Sequence, residues 1–362
     1  REWSELGERL LPYPEFRQYS PAKDFATIRR AGFDFVRLTV DPAPVLSPEQ
    51  PLKVEILINE VKAAIRELQT ADLKVIVDLH TVPGGKYRQT GTSTFTSSKV
   101  AIADYTQLAA TIAGALAGED PLRVAFEPFN EPLLDCAWVR PKTNRWPEIL
   151  RGLHKRIRQA APKLTLVLQG GCWGSAAGLT RIDPNVFNDD NIIWSFHSYE
   201  PFLLTHQGAS WTDGVGAYVY GLDYPPRPRQ REQVLADALR RIEGSKLADK
   251  VRADLSKNAR QEIKNYFTPG WAAARIERPL AEVAAWAKRH QIPAHRILLG
   301  EFGVIRSDLG PPTSDKVRAE IIAATRKAAE SRGFGWAIWS WGGAFSLTES
   351  KTGKTFRPAL LE

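Results

Sequence analysis

The chain has 362 residues, a formal net charge of +8 and two cysteines. That length suits a single domain of alternating strands and helices, which often exceeds the usual domain size. No run of about 18 apolar residues occurs, so no membrane span is expected. Neither zinc-finger spacing nor an RNA-binding aromatic motif accompanies the positive charge, so no nucleic-acid partner is expected either.

The basic residues fall mostly in helix-like stretches such as Arg151 to Arg158 and Arg227 to Arg252, the latter mixed with acids, and read as solvated helix faces. Cys136 and Cys172 each follow a strand and could pair across neighbouring loops or stay as free thiols, because sequence does not give their separation. Methionine is absent even at position 1. The chain is therefore read as starting after processing, trimming or a disordered segment, with secretion or a periplasmic location as the expectation and no export signal in view.

In chain order, a β-rich run covers Phe33 to Val40. A helix follows over Leu52 to Leu68, with Ile58, Val61, Ile65 and Leu68 on one face. An apolar strand spans Leu73 to Leu79, an Ala-rich helix Val100 to Leu116, and a strand Leu122 to Phe129. Pro147 opens a helix that runs to Ala161. Strands are expected at Leu164 to Leu168 and Asn191 to Phe196. Beyond these come a helix from Pro279 to His290, a strand at Ile297 to Leu299, a helix from Ser314 to Ser331 capped by Ser314, and a last strand from Phe334 to Trp341.

Short, mostly apolar strands indicate a parallel sheet covered on both faces. Repeated strand–helix units fit a (β/α)8 TIM barrel or an open doubly wound sheet. Arg37, His80, Glu131, His197 and Glu301 all stand at strand ends, and only a barrel gathers such ends on one rim, so the barrel is favoured. The expected architecture is one α/β domain over 1–362 with a large helical insertion at about 206–277, after the sixth strand. Seven strands are readable. The first is not identifiable in residues 1–20, where Trp3, Leu6, Leu10 and Leu11 form no strand pattern.

Two of these strand ends carry the chemistry. Val124, Ala125 and Phe126 lead through Glu127 to Asn130-Glu131-Pro132, and Ile297 to Leu299 lead to Glu301 between Gly300 and Gly303. A run of apolar residues has no structural need for such endings. Two carboxyls on separate strand ends are the pair that glycoside hydrolysis uses. Glu127 shares a strand side with Glu131 and reads as a buried salt-bridge partner, with a direct sugar contact as the alternative. His154, His290 and His295 are expected at the surface. No His, Asp and Glu spacing matches a metal site, so neither a metal nor another cofactor is expected.

Together these segments resemble the family 5 glycoside hydrolases, the cellulase-type members of the Asn-Glu-Pro clan of retaining (β/α)8-barrel glycosidases. The resemblance covers about residues 25 to 345 and rests on Arg37 in Phe35-Val-Arg37-Leu, His80 in Asp78-Leu-His80, Asn130-Glu131-Pro132, His197-Ser-Tyr199, Gly300-Glu301-Phe302-Gly303 and Trp339. It implies Glu131 as acid/base and Glu301 as nucleophile, with Arg37 and Tyr199 keeping Glu301 ionised. It also implies Asn130 on the sugar 2-hydroxyl, His80 and His197 at other hydroxyls, and Trp339 under the ring. Trp173 and Trp341, at or just past strand ends, are the first choices among the loop aromatics for further sugar contacts.

The implied activity is hydrolysis of a β-glucan by a monomer, first as an endo-β-1,4-glucanase. β-1,3-Glucan cleavage is an alternative, because His80-Thr-Val-Pro-Gly-Gly85 resembles a segment of the family's β-1,3-acting members. Exo-action as a β-glucosidase is another, because the insertion could close one end of a cleft; mannan degradation is a third. A barrel that binds carbohydrate without catalysis is the competing class, against which both glutamates argue. A phosphate-dependent enzyme would need a Gly-rich loop that Gly342-Gly343 does not supply.

Overall fold

The computed structural model describes residues 21–46, 53–80, 98–134, 136, 145–212, 214–306, 308–348 and 356–361. The expected place of the first strand, residues 1–20, lies outside them, as do residues 81–97. Two compact units divide the chain, residues 1–195 and 196–362, and the boundary falls inside one strand.

In the first unit, helix α1 (Pro21–Arg30) leads to β1 (Phe35–Val40), α2 (Val54–Thr70), β2 (Lys74–Leu79), α3 (Lys99–Leu116), β3 (Val124–Glu127), α4 (Trp146–Ala160), β4 (Thr165–Gln169) and the start of β5 (Ile192–His197). Strand order follows chain order throughout. The strands pair in parallel, with Phe35 opposite Lys74, Val75 opposite Val124, Ala125 opposite Thr165 and Leu166 opposite Ile192. β2 is buried on both faces after its first residue, and all of β3 is buried, as a helix-covered parallel sheet requires.

The helices form where apolar residues recur at helical spacing. α2 buries Leu57, Val61, Ile65 and Leu68, each contributing about 1.5–3 kcal/mol relative to exposure. Leu57 takes the place expected of Ile58, which is only half-buried. α4 starts at Trp146, one residue before the expected Pro147, and Trp146 is fully buried against Phe129.

The second unit holds the end of β5, the helices α5 (Arg231–Glu243), α6 (Asp249–Tyr266) and α7 (Trp271–Arg289), strand β6 (Ile297–Phe302), α8 (Asp315–Glu330) and β7 (Gly335–Ile338). The polar stretch between Gln230 and Phe267 is therefore two helices. α7 begins eight residues before the expected Pro279, which sits inside it. The amide that proline lacks is outweighed by a continuous apolar stripe, Ala272, Ile276, Leu280, Val283 and Trp286, buried along the whole helix. Ser314 caps α8 as expected, its side chain accepting from the Val317 amide at 3.3 Å. β6 extends three residues past Leu299 to Phe302, every residue buried, and pairs in parallel with β7 through an irregularity between Leu299 and Phe302.

Candidate active site

The first unit contributes a network of charge at its strand ends. The Arg37 guanidinium donates through Nε to Glu127 Oε2 at 2.6 Å and through Nη2 to Asn130 Oδ1 at 2.7 Å, and it lies 3.0 Å from Asp78 Oδ2. The same Asp78 oxygen meets His80 Nδ1 at 2.8 Å. Asp78 and Glu127 are fully buried and paired in register on β2 and β3. Glu127 is thus the buried salt-bridge partner its place on the strand implies.

Gln169, at the end of β4, links this network to Glu131. Its Nε2 donates to Glu127 Oε1, and its Oε1 accepts from the Glu131 backbone amide at 3.1 Å. Trp146 Nε1 donates to the Gln169 carbonyl at 2.9 Å and fixes the strand end from below. Sequence reading ended this strand one residue early and passed over Gln169; a polar residue closing the run Leu164 to Leu168 was the signal. Glu131 has φ 46°, a left-handed conformation that a non-glycine residue adopts only when its surroundings impose it. The carboxyl therefore leaves the strand in a direction that extended backbone would not give.

The loop beyond is stapled. Cys136 and Cys172 form a disulfide, which answers the question that sequence left open. The Cys172 and Trp173 amides donate to the Leu134 and Pro132 carbonyls at 2.6 and 3.0 Å. Trp173, half-buried, is held by this turn in left-handed backbone, φ 61°. The turn closes because Gly170 and Gly178 lack side chains: a Cβ on Gly178 would fall 1.8 Å from the Gly171 carbonyl oxygen.

In the second unit Glu301 projects from β6 and is 4% exposed. The Tyr199 hydroxyl donates to its Oε2 at 2.8 Å, and His197 Nδ1 lies 3.7 Å from the same oxygen. The Ser198 amide donates to the Glu301 carbonyl at 3.0 Å, so the end of β5 is locked to β6 at this residue. Trp339 directly follows β7, and its amide donates to the Phe302 carbonyl at 2.8 Å. Gly303 makes that approach possible, since a Cβ there would lie 2.1 Å from the Trp339 carbonyl oxygen. Trp339 and Tyr199 pack against a buried cluster of Ala209, Ile305 and Phe345.

Trp341 stacks on Phe356, ring centroids 5.4 Å apart, which covers one of its faces. Of the histidines expected at the surface, His295 is exposed, His290 is half-buried, and His154 is drawn inward by a 2.7 Å contact to Asp189. Among the described residues no helix is long and apolar enough to cross a membrane.

Both carboxyls that sequence singled out are thus held by dedicated partners, one through its backbone and one through its side chain. The sequence model described as Cellulase (glycosyl hydrolase family 5) matches residues 10–345. Endoglucanase 3 of Fibrobacter succinogenes is 29% identical over 225 residues, 62% of this chain and 30% of that protein. Endoglucanase C of Acetivibrio thermocellus is 27% identical over 212 residues, 58% of this chain and 59% of that protein. The chain thus spans less than two thirds of the length of either relative. Among solved structures, an endoglucanase superposes with a TM-score of 0.66 at 20% identity, covering 94% of this chain and 90% of that one. A hyperthermophilic endo-β-1,4-glucanase in complex with substrate gives 0.64 at 21%, covering 94% and 89%. At such identities the likeness shows the fold, a (β/α)8 barrel, of which the described residues supply seven parallel strands in chain order.

Proposed function

Because the chain belongs to the cellulase family, glycosyl hydrolase family 5, we propose that it is a retaining β-glycoside hydrolase that cuts β-glucan internally at β-1,4 linkages. Glu301 attacks the anomeric carbon and forms the glycosyl-enzyme. Glu131 protonates the departing oxygen, then takes a proton from the water that releases the sugar. The observation that carries the reading is the buried Glu301 carboxylate with the Tyr199 hydroxyl on its Oε2 at 2.8 Å. A hydrogen bond to the charged form favours ionisation, which a nucleophile needs.

Asn130, held by Arg37, orients the sugar 2-hydroxyl, and Arg37 acts here by setting Asn130 among its carboxylate neighbours. His80 and His197 take further hydroxyls, and Trp339 gives the ring an apolar floor. Trp173 is the better placed outer contact, because Phe356 covers one face of Trp341. The Cys136–Cys172 disulfide fits an oxidising compartment, hence a secreted or periplasmic protein. A second reading, action on short cello-oligosaccharides, draws on Cellodextrinase A of Ruminococcus flavefaciens, 31% identical over 193 residues, 53% of this chain and 55% of that protein.

Product analysis on cellulose, lichenan, laminarin and manno-oligosaccharides tests the linkage, with mixed cello-oligosaccharides expected from internal cutting. Glu301→Gln abolishes turnover and keeps oligosaccharide binding. Glu131→Ala loses about 10²- to 10⁴-fold on natural glucan and far less on an aryl glycoside with a good leaving group. Equal losses on both substrates would overturn the assignment of roles.

A further inference from the structure

We propose that Thr205 and His206 form a brace that holds Tyr199 against Glu301, so that His206 is a positioning residue of the nucleophile. The proposal rests on the reading of Glu301 given above and adds two residues that no motif of the family singled out in this sequence.

Thr205 ends a one-turn helix, Phe202–Thr205, just after β5. Its hydroxyl lies 2.5 Å from the Tyr199 carbonyl oxygen, 3.0 Å from His206 Nδ1 and 3.3 Å from the Phe202 carbonyl oxygen. A carbonyl only accepts, and a hydroxyl has one proton, so the shortest contact assigns that proton to Tyr199. The hydroxyl oxygen then accepts from His206, which fixes the imidazole as the Nδ1–H tautomer. The Thr205 carbonyl in turn accepts from the Ile305 amide at 2.9 Å, just beyond the strand that bears Glu301. Tyr199 is thereby tied at both ends, its hydroxyl to Glu301 and its carbonyl through Thr205 to the segment after β6.

Rings complete the brace. His206 stacks on Phe202 at 4.0 Å and 15°, and meets Tyr199 edge-on at 5.1 Å and 75°. Phe345 closes on both, 5.7 Å from Tyr199 and 5.2 Å from His206. His206 is 7% exposed, and burial drops its pKa to about 3, so it stays a neutral donor over the working range. Within this unit Tyr199 and His197 face Glu301, and His206 is linked to the carboxylate through Tyr199.

His206→Phe keeps a ring and removes the Nδ1–H; His206→Asn keeps a donor and removes the ring. If the brace works through Tyr199, His206→Phe lowers kcat on an aryl cellobioside about fivefold, the worth of one hydrogen bond, with KM little changed. It also raises the acid limb of kcat/KM, His206→Asn restores part of the loss, and in a Tyr199→Phe background His206→Phe has no further effect. A wild-type rate in His206→Phe, or an equal further loss without the tyrosine hydroxyl, overturns the proposal. Imidazole ¹⁵N NMR supplies a readout apart from catalysis: the resonance missing in His206→Phe is expected as neutral and Nδ1-protonated from pH 7 down to about 4. An Nε2–H tautomer, or titration near pH 6.5, refutes the brace whatever the rate. Retained turnover in Glu301→Gln refutes instead the reading on which it rests.

Discussion

In the first unit the candidate residues are held by charge, and in the second by rings. Arg37 is surrounded by Asp78, Glu127 and Asn130, with Gln169 and His80 completing the net. Glu301 instead sits between Tyr199 and His197, and behind Tyr199 lie His206, Phe345 and Phe202. Under the proposed roles, the difference follows from what each carboxyl would do. As the proposed acid/base, Glu131 would change protonation state within a cycle, and the network grips its backbone through Gln169. As the proposed nucleophile, Glu301 would remain ionised and in one place, and the Tyr199 phenol backed by packed rings supplies direction. Removing a member of the first net should therefore damage stability, whereas removing one from the second should damage rate.

The sharpest way to break this contrast is Arg37→Met. It leaves Asp78 and Glu127 buried without their cation, and losing one partner of a buried ion pair costs about 3–5 kcal/mol. Urea unfolding should show a loss of that order together with lost activity. A variant of unchanged stability would mean that the net is not structural.

Next in size is the disulfide. Cys136 and Cys172 are separated by 36 residues, and a cross-link of that span contributes about 2–4 kcal/mol, chiefly by restricting the unfolded chain. Cys136→Ser combined with Cys172→Ser should lower Tm. It should also lower activity at temperatures where the double variant is still folded, because the Cys172 and Trp173 amides anchor the loop that follows Glu131.

Tyr199→Phe reverses the pattern. It removes one hydrogen bond to a charged group, about 1.5–3 kcal/mol, and that loss should fall on kcat/KM as roughly ten- to hundredfold, with Tm almost unmoved because the ring stays packed against Phe345. A Tm loss as large as that of Arg37→Met would erase the distinction between the two regions.

How much of this was legible in the sequence follows the same division. The charged net was visible because Arg37, His80, Glu127 and Asn130-Glu131 interrupt apolar runs at strand ends, where a buried sheet gives them no other reason to be. Gln169 escaped because an amide at a strand end is a weaker interruption than a carboxylate. His197, Tyr199 and Glu301 were visible as motifs, but Thr205 was passed over and His206 was taken as the start of a presumed insertion: a helix of one turn leaves no periodicity to read. Pro279 looked like a helix start, since local sequence shows the missing amide and not the buried stripe that carries α7 through it. The cysteine pairing depended on a Cα separation of 4.6 Å that no spacing along the chain encodes.

The smallest expected effect lies away from either set of strand ends and tests whether ion pairs of the first unit matter wherever they occur. Asp189 accepts from His154 Nε2 at 2.7 Å and Arg158 Nε at 2.6 Å, while Arg158 also donates to the carbonyls of Leu164 and Asn191 where β4 and β5 begin. Burial alone would raise the Asp189 pKa, but the hydrogen bonds from His154 and Arg158 outweigh it and hold the carboxyl well below its ordinary 3.8. A carboxyl depressed in the folded state binds protons more readily when unfolded. Its contribution is therefore complete above about pH 4 and fades as pH falls below that value. Asp189→Asn should accordingly be less stable than the parent at pH 7, by less than Arg37→Met because the site is partly solvated and screened. The gap should narrow only below pH 4, and kcat at 25 °C should not change. A gap that closes already between pH 7 and 5 would show that the effect does not come from the depressed Asp189 carboxyl.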